Sequence, residues 1–171
     1  PKDTRAFIAR ARSLGVTEST ALLEAVDEVN LRQRSRTTEL ALEMLADKRG
    51  PVAVLGGAFK AGSDDVRDSP ALDVANRLWR SGCTVRVHDP RAGDGVRRAC
   101  PDLEVVDDVE TACTGAALVL VLTEWKQFAS LDPVAIGELV ARRAVLDARL
   151  VLTPEKWIAA GWELRALGRS A

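Results

Sequence analysis

The chain has 171 residues, 47% of them hydrophobic and 29% charged, enough for one compact domain and a little more but not for two full-sized enzyme domains. Its 24 Lys and Arg against 25 Asp and Glu leave a net charge of −1, which supplies no basic surplus for a nucleic-acid backbone and no polybasic segment for a membrane surface. The longest apolar run covers only 116–122, far short of the roughly 20 residues of a membrane span. No signal-peptide-like hydrophobic region opens the chain, so it reads as cytosolic. Cys83, Cys100 and Cys113 form no C-x-x-C pair and His88 is the sole histidine, so a zinc site is not expected and the thiols read as reduced and mostly buried.

In chain order, a short helix is expected over Thr4–Leu14. A long one follows over Thr17–Ala46, a stretch without Gly or Pro. Leu22, Leu23, Val26 and Val29, then Leu40, Met44 and Leu45, recur at helical spacing on either side of a polar middle, Arg32–Arg36. Thr17 or Ser19 suits the start, and Lys48, Arg49 and Gly50 the end. Two apolar stretches so far apart cannot both be covered by one domain attached at the C-terminal end, so pairing with a second copy is expected.

From Pro51 the pattern changes. Val52–Leu55, Thr84–Val87, Leu103–Val106, Leu118–Leu122, Val145–Leu146 and Glu163–Leu167 read as strands. Helices are expected between them at Ala71–Ser81, Gly95–Ala99, Val109–Thr114, Asp132–Ala141 and Pro154–Ala160. Ser69 followed by Pro70 is a helix start, an N-cap with Pro at the first turn. Such alternation predicts a doubly wound α/β domain with a parallel sheet. The chain thus divides into a helical segment, residues 1–50, and an α/β domain, residues 51–171.

A ligand of such a sheet sits beyond the carboxyl ends of the strands. The loop after the first strand, residues 56–70, is long for its kind and carries three glycines, yet it matches neither G-x-G-x-x-G nor a Walker A loop. Lys60 and Arg67 offer charge for phosphates; the competing reading pairs them with Asp64, Asp65 and Asp68 at the surface.

Read through, Val54–Leu72 is similar to the signature of the UDP-binding C-terminal domain of the UDP-glucose/GDP-mannose dehydrogenase family. The resemblance runs on through Val85–Pro90, Thr123-Glu124-Trp125 with Phe128, Leu146–Arg149 and Gly168-Arg169. Val29-Asn30-x-x-Gln33 resembles part of the family's central helix, and Pro1-Lys2-Asp3 the end of its Cys-x-Pro-Lys-Asp nucleophile motif. The resemblance implies a Rossmann-like sheet preceded by a long helix, the one whose apolar stretches are expected to make a homodimer.

It also implies an NAD-dependent oxidation of a sugar C6 alcohol to a carboxylate through a cysteine thioester. The nucleophilic cysteine and the NAD domain would both lie before Pro1, and Cys83, Cys100 and Cys113 match neither. By the same resemblance Asp3 is a catalytic residue supporting the thiol and its water. Lys2 and Arg67 approach NAD, and Phe59, Lys60 and Arg149 hold the UDP-sugar. Asp89-Pro90 and Trp125 read as structural. Asp89-Pro90 looks more like the UDP-glucose enzymes of the family than the GDP-mannose ones, with UDP-N-acetylmannosamine and UDP-galacturonate-type relatives open; a free-standing nucleotide-binding module and a purely structural dimerisation unit are the other classes.

Overall fold

A computed structural model describes residues 2–15, 20–46 and 50–168, with side chains from Ala6 onward. The chain forms two compact units, residues 1–36 and 37–171. In the first, α1 (Lys2–Ser13) buries Ile8 and Ala11, and Arg12 pairs with Glu24 at 3.1 Å. The long helix α2 (Ala21–Leu45) begins there and ends in the second unit. It stops at Leu45 because Ala46 turns into the left-handed region at φ 47°. The Met44 carbonyl, exposed by that ending, accepts a hydrogen bond from Arg142, whose guanidinium also meets Glu163. The expected caps Thr17, Ser19, Lys48 and Arg49 lie outside the described residues, as does Arg169.

The second unit continues with β1 (Val52–Leu55), α3 (Pro70–Arg80), β2 (Val85–His88), α4 (Gly93–Ala99), β3 (Glu104–Val105), α5 (Val109–Cys113) and β4 (Leu118–Val121). Then follow α6 (Lys126–Ala129), α7 (Pro133–Leu139), β5 (Ala144–Asp147), α8 (Pro154–Ala159) and β6 (Glu163–Ala166). All the strands pair in parallel in the order β3-β2-β1-β4-β5-β6. This is the doubly wound arrangement with its switch point between β1 and β4. The expected boundaries differ by a residue or two, and α6, a single turn, was not anticipated.

Alternation along each strand sorts the core into two layers. Val52, Val54, Val87, Leu118, Leu120 and Leu146 face α3, α4 and the end of α2. Ala53, Leu55, Val119, Val121 and Val145 face α5, Phe128, Ile136 and the edge-to-face pair Trp157–Trp162. The central strands are buried on both faces, which is why they read as unbroken apolar runs. Among the described residues no helix is long and apolar enough to cross a membrane, and no group of three or more His, Cys, Asp or Glu is placed to hold a metal ion.

At the switch point Gly56 leaves β1 with φ 105° and lies against the buried Thr123. A Cβ at Gly56 would overlap Thr123 Oγ1 and hold the backbone in a region that side chains avoid. Gly56→Ala should therefore destabilise the chain by about 3 kcal/mol or more, read as a lowered urea midpoint at unchanged m-value. An unchanged midpoint would contradict this packing.

Candidate functional site

Parallel pairing puts the carboxyl ends of all strands on one edge, and the loops from β1, β4 and β5 meet there. The β1 loop folds back on itself: Phe59 N–H donates to the Asp65 carbonyl at 2.8 Å, and Asp65 N–H to Ser63 Oγ at 3.0 Å. Phe59 is half-buried and Lys60, next to it, is exposed. Among the described residues nothing pairs with the Lys60 ammonium. Arg67 behaves differently. Its guanidinium donates Nε and Nη2 to the two Asp65 carboxylate oxygens at 2.8 and 2.7 Å, and this partner holds its pKa above the usual arginine value. The surface-pairing alternative therefore describes Arg67 and not Lys60.

Arg149 follows the end of β5. Asp147, buried at that strand end, accepts from Arg149 N–H at 2.9 Å and Leu152 N–H at 2.8 Å and so sets the loop. Arg149 Nε donates to the Leu122 carbonyl at 2.9 Å, which fixes the guanidinium plane beside β4. Its two terminal nitrogens have no partner among the described residues, so a planar fork is left for an anion.

Glu124, just past β4, joins the two loops. One carboxylate oxygen accepts from Ala61 N–H at 3.2 Å, and the other lies 4.0 Å from Arg149 Nε. The Lys60 loop and Arg149 thus sit on opposite sides of one carboxylate. The sequence reading gave Glu124 no role; its position two residues beyond the expected strand end at Leu122, on the ligand edge, was the available signal. Lys2 and Asp3 open α1, and their side chains lie outside the described residues.

Deeper in the crevice the donors are already used. Asp89, 6% exposed, accepts from Gly57 N–H at 2.8 Å and Ala58 N–H at 2.9 Å through Oδ2, and from Arg91 and Ala92 N–H at 3.0 and 2.8 Å through Oδ1. Trp125 Nε1 reaches Oδ2 at 3.4 Å. At the α3 N-terminus one amide is likewise taken: Ser69 Oγ accepts from Leu72 N–H and donates to the Ala58 carbonyl. A dinucleotide's pyrophosphate takes its hydrogen bonds from those two places, the first strand's turn and the following helix start. These residues do not fit NAD in that crevice.

A doubly wound domain whose cations stand at the switch-point rim defines the class, a nucleotide-binding-type α/β domain. The profile of the UDP-glucose/GDP-mannose dehydrogenase family's UDP-binding domain matches residues 53–154, more than half of the chain, and the chain belongs to that family. It is 38% identical over 153 residues to UDP-glucose 6-dehydrogenase AglM of Haloferax volcanii, covering 90% of this chain and 35% of that protein. It is 32% identical over 173 residues to UDP-glucose 6-dehydrogenase TuaD of Bacillus subtilis, covering all of this chain and 37% of that one. A UDP-glucose dehydrogenase structure from Pyrobaculum islandicum superposes with a TM-score of 0.77 at 34% identity, over 97% of this chain and 35% of that one. The chain thus spans little more than a third of the length of these relatives.

The cysteines are free. Cys113 is buried, and burial, with Glu110 second, pushes its thiol up to about 12. A raised thiol pKa means less thiolate, so Cys113 stays protonated and unreactive at any pH well below that value. At pH 8 the folded chain should be alkylated by iodoacetamide at the half-buried Cys83 at least tenfold faster than at Cys113, as read by peptide mass spectrometry. Equal labelling would contradict the burial.

Proposed function

We propose that this chain is the nucleotide-sugar-holding part of an NAD-dependent UDP-glucose 6-dehydrogenase, which oxidises UDP-glucose to UDP-glucuronate. The observation that carries the reading is the pair of uncommitted cationic groups, Lys60 and the Arg149 fork, on either side of Glu124 at the switch point of a sheet of this family. A diphosphate suits both: the fork takes two oxygens side by side, and the ammonium meets a third as a point charge. Phe59 offers the ligand an apolar wall. Binding energy gathered at the nucleotide end positions the distant sugar carbon for reaction, which is how a part that does no chemistry still raises the rate.

NAD, when bound, would supply the hydride acceptor, and in this reading it is held mainly by sequence other than this chain. Arg67 is the described group that reaches outward toward such a cofactor, and it does so by exchanging Asp65 for a phosphate. Asp3 as the support for a catalytic thiol, and Lys2 beside the dinucleotide, belong to the same proposal. A UDP-N-acetylmannosamine substrate is the second reading. It is favoured by the similarity, at 26% identity and a TM-score of 0.71, to a Pyrococcus horikoshii structure described as a UDP-D-ManNAc dehydrogenase. The cytoplasm is the compartment that goes with this role.

The helical segment, residues 1–50, is assigned to homodimerisation, and residues 51–171 to the UDP-sugar. Leu22 is 75% exposed and Val26 and Val29 each 47%, an apolar stripe on the first half of α2 that a second copy would cover. Light scattering should give a dimer mass, and Leu22→Glu with Val26→Glu should give a monomer with an unchanged circular dichroism spectrum. A monomeric wild-type chain at micromolar concentration and above would overturn the assignment.

UDP should bind to this chain, and a charge-assisted contact from Lys60 is worth about 1.5–3 kcal/mol. Lys60→Ala should therefore weaken UDP binding by about tenfold or more in a calorimetric titration, without loss of stability. Unchanged affinity in that variant would remove Lys60 from the site.

A further inference from the structure

We propose that Asp89 is a specificity-determining residue: its carboxylate occupies the phosphate nest of the doubly wound fold, shuts dinucleotides and free diphosphates out of it, and confines any ligand diphosphate to the outer rim. In a parallel sheet of this order the turn after β1 presents successive backbone N–H groups at the switch point, and such a nest binds an anion. Here Gly57 and Ala58 present those donors. Gly57 is pinned so close to α4 that a Cβ would come within 2.7 Å of Val96 Cγ2, so the turn cannot easily swing its amides elsewhere.

The anion that satisfies them is the chain's own. Asp89 Oδ2 lies 2.8 and 2.9 Å from the two amides, while Oδ1 lies 3.0 and 2.8 Å from Arg91 and Ala92 N–H. Four backbone donors on one buried carboxylate use its accepting capacity, and Trp125 Nε1 closes the remaining side. An entering phosphate would have to expel a charge that is already fully hydrogen-bonded, and would gain contacts no better than those it breaks. At the second anchor of a dinucleotide, the N-terminus of α3, the Ser69 hydroxyl separately takes one amide. Both amides of the turn and one first-turn amide of α3 are thus met from inside, by residues of different elements.

The inference concerns the nest and does not depend on which nucleotide sugar the rim accepts. In the 15N-labelled chain, titration with inorganic pyrophosphate and, separately, with NAD should leave the Gly57 and Ala58 amide signals in place. In Asp89→Ala the melting temperature should fall by roughly 10 °C or more, because the freed donors are buried. Sodium formate, which restores a carboxylate to the space vacated, should recover part of that loss, while sodium chloride at equal ionic strength should not. Pyrophosphate should then shift Gly57 and Ala58 saturably in the variant alone. Saturable shifts of those amides in the wild-type chain would overturn the proposal, as would a folded Asp89→Ala whose stability ignores formate. If Asp89→Ala does not fold, the wild-type titrations still decide. Rim residues that fail to respond to UDP would count against Lys60 and Arg149 as the site and leave the Asp89 proposal standing.

Discussion

Four backbone N–H groups converge on the Asp89 carboxylate from two different strand-end turns, and the shape of the ligand edge follows from that convergence. Gly57 and Ala58 come from the β1 turn, and Arg91 and Ala92 from the β2 turn. A buried backbone donor left without a partner costs free energy comparable to a lost hydrogen bond, so neither turn can move without the other. With the inner turn locked, the rest of the β1 loop projects outward. It is that outer part which carries Phe59 and Lys60.

The same device recurs at β5. Asp147 ends that strand buried, and its carboxylate takes the N–H groups of Arg149 and Leu152. Between the two locked ends lies Glu124, also a carboxylate but an exposed one, touching Ala61 on one side and facing Arg149 on the other. The inner acids are structural because burial and complete hydrogen bonding hold them in place. The outer acid is exchangeable because water reaches it and its contacts are longer. In the proposed site, the cations that receive the anionic ligand are those beside the exchangeable carboxylate.

Much of the fold was legible in the sequence because the signals were local. Val52–Leu55 and Leu118–Val121 are apolar runs bounded by turn residues, and Ser69-Pro70 marks a helix start by its own chemistry. Lys126–Ala129 escaped because one helical turn has no periodicity to detect. β3 is only Glu104–Val105, an edge strand paired with β2 alone and too short to show a period. The residues carrying the family resemblance were also local motifs, and they named Lys60 and Arg149. What no local pattern could reveal were partners far apart in sequence. Asp89 meets amides more than 30 positions upstream, and Glu124 meets Ala61 across 63. The Asp-Pro step announced the end of a strand and concealed an occupied anion site. Charge alone could not separate Lys60 from Arg67, since only the fold decides that Asp65 turns back to one and leaves the other.

The central claim is that ligand charge is received at the rim and refused in the nest. The most direct test is a crystal structure of this chain with UDP. The account predicts the diphosphate between Lys60 and the Arg149 fork, with Asp89 still bonded to Gly57 and Ala58. A diphosphate seated on the Gly57 and Ala58 amides, with Asp89 turned away, would contradict it.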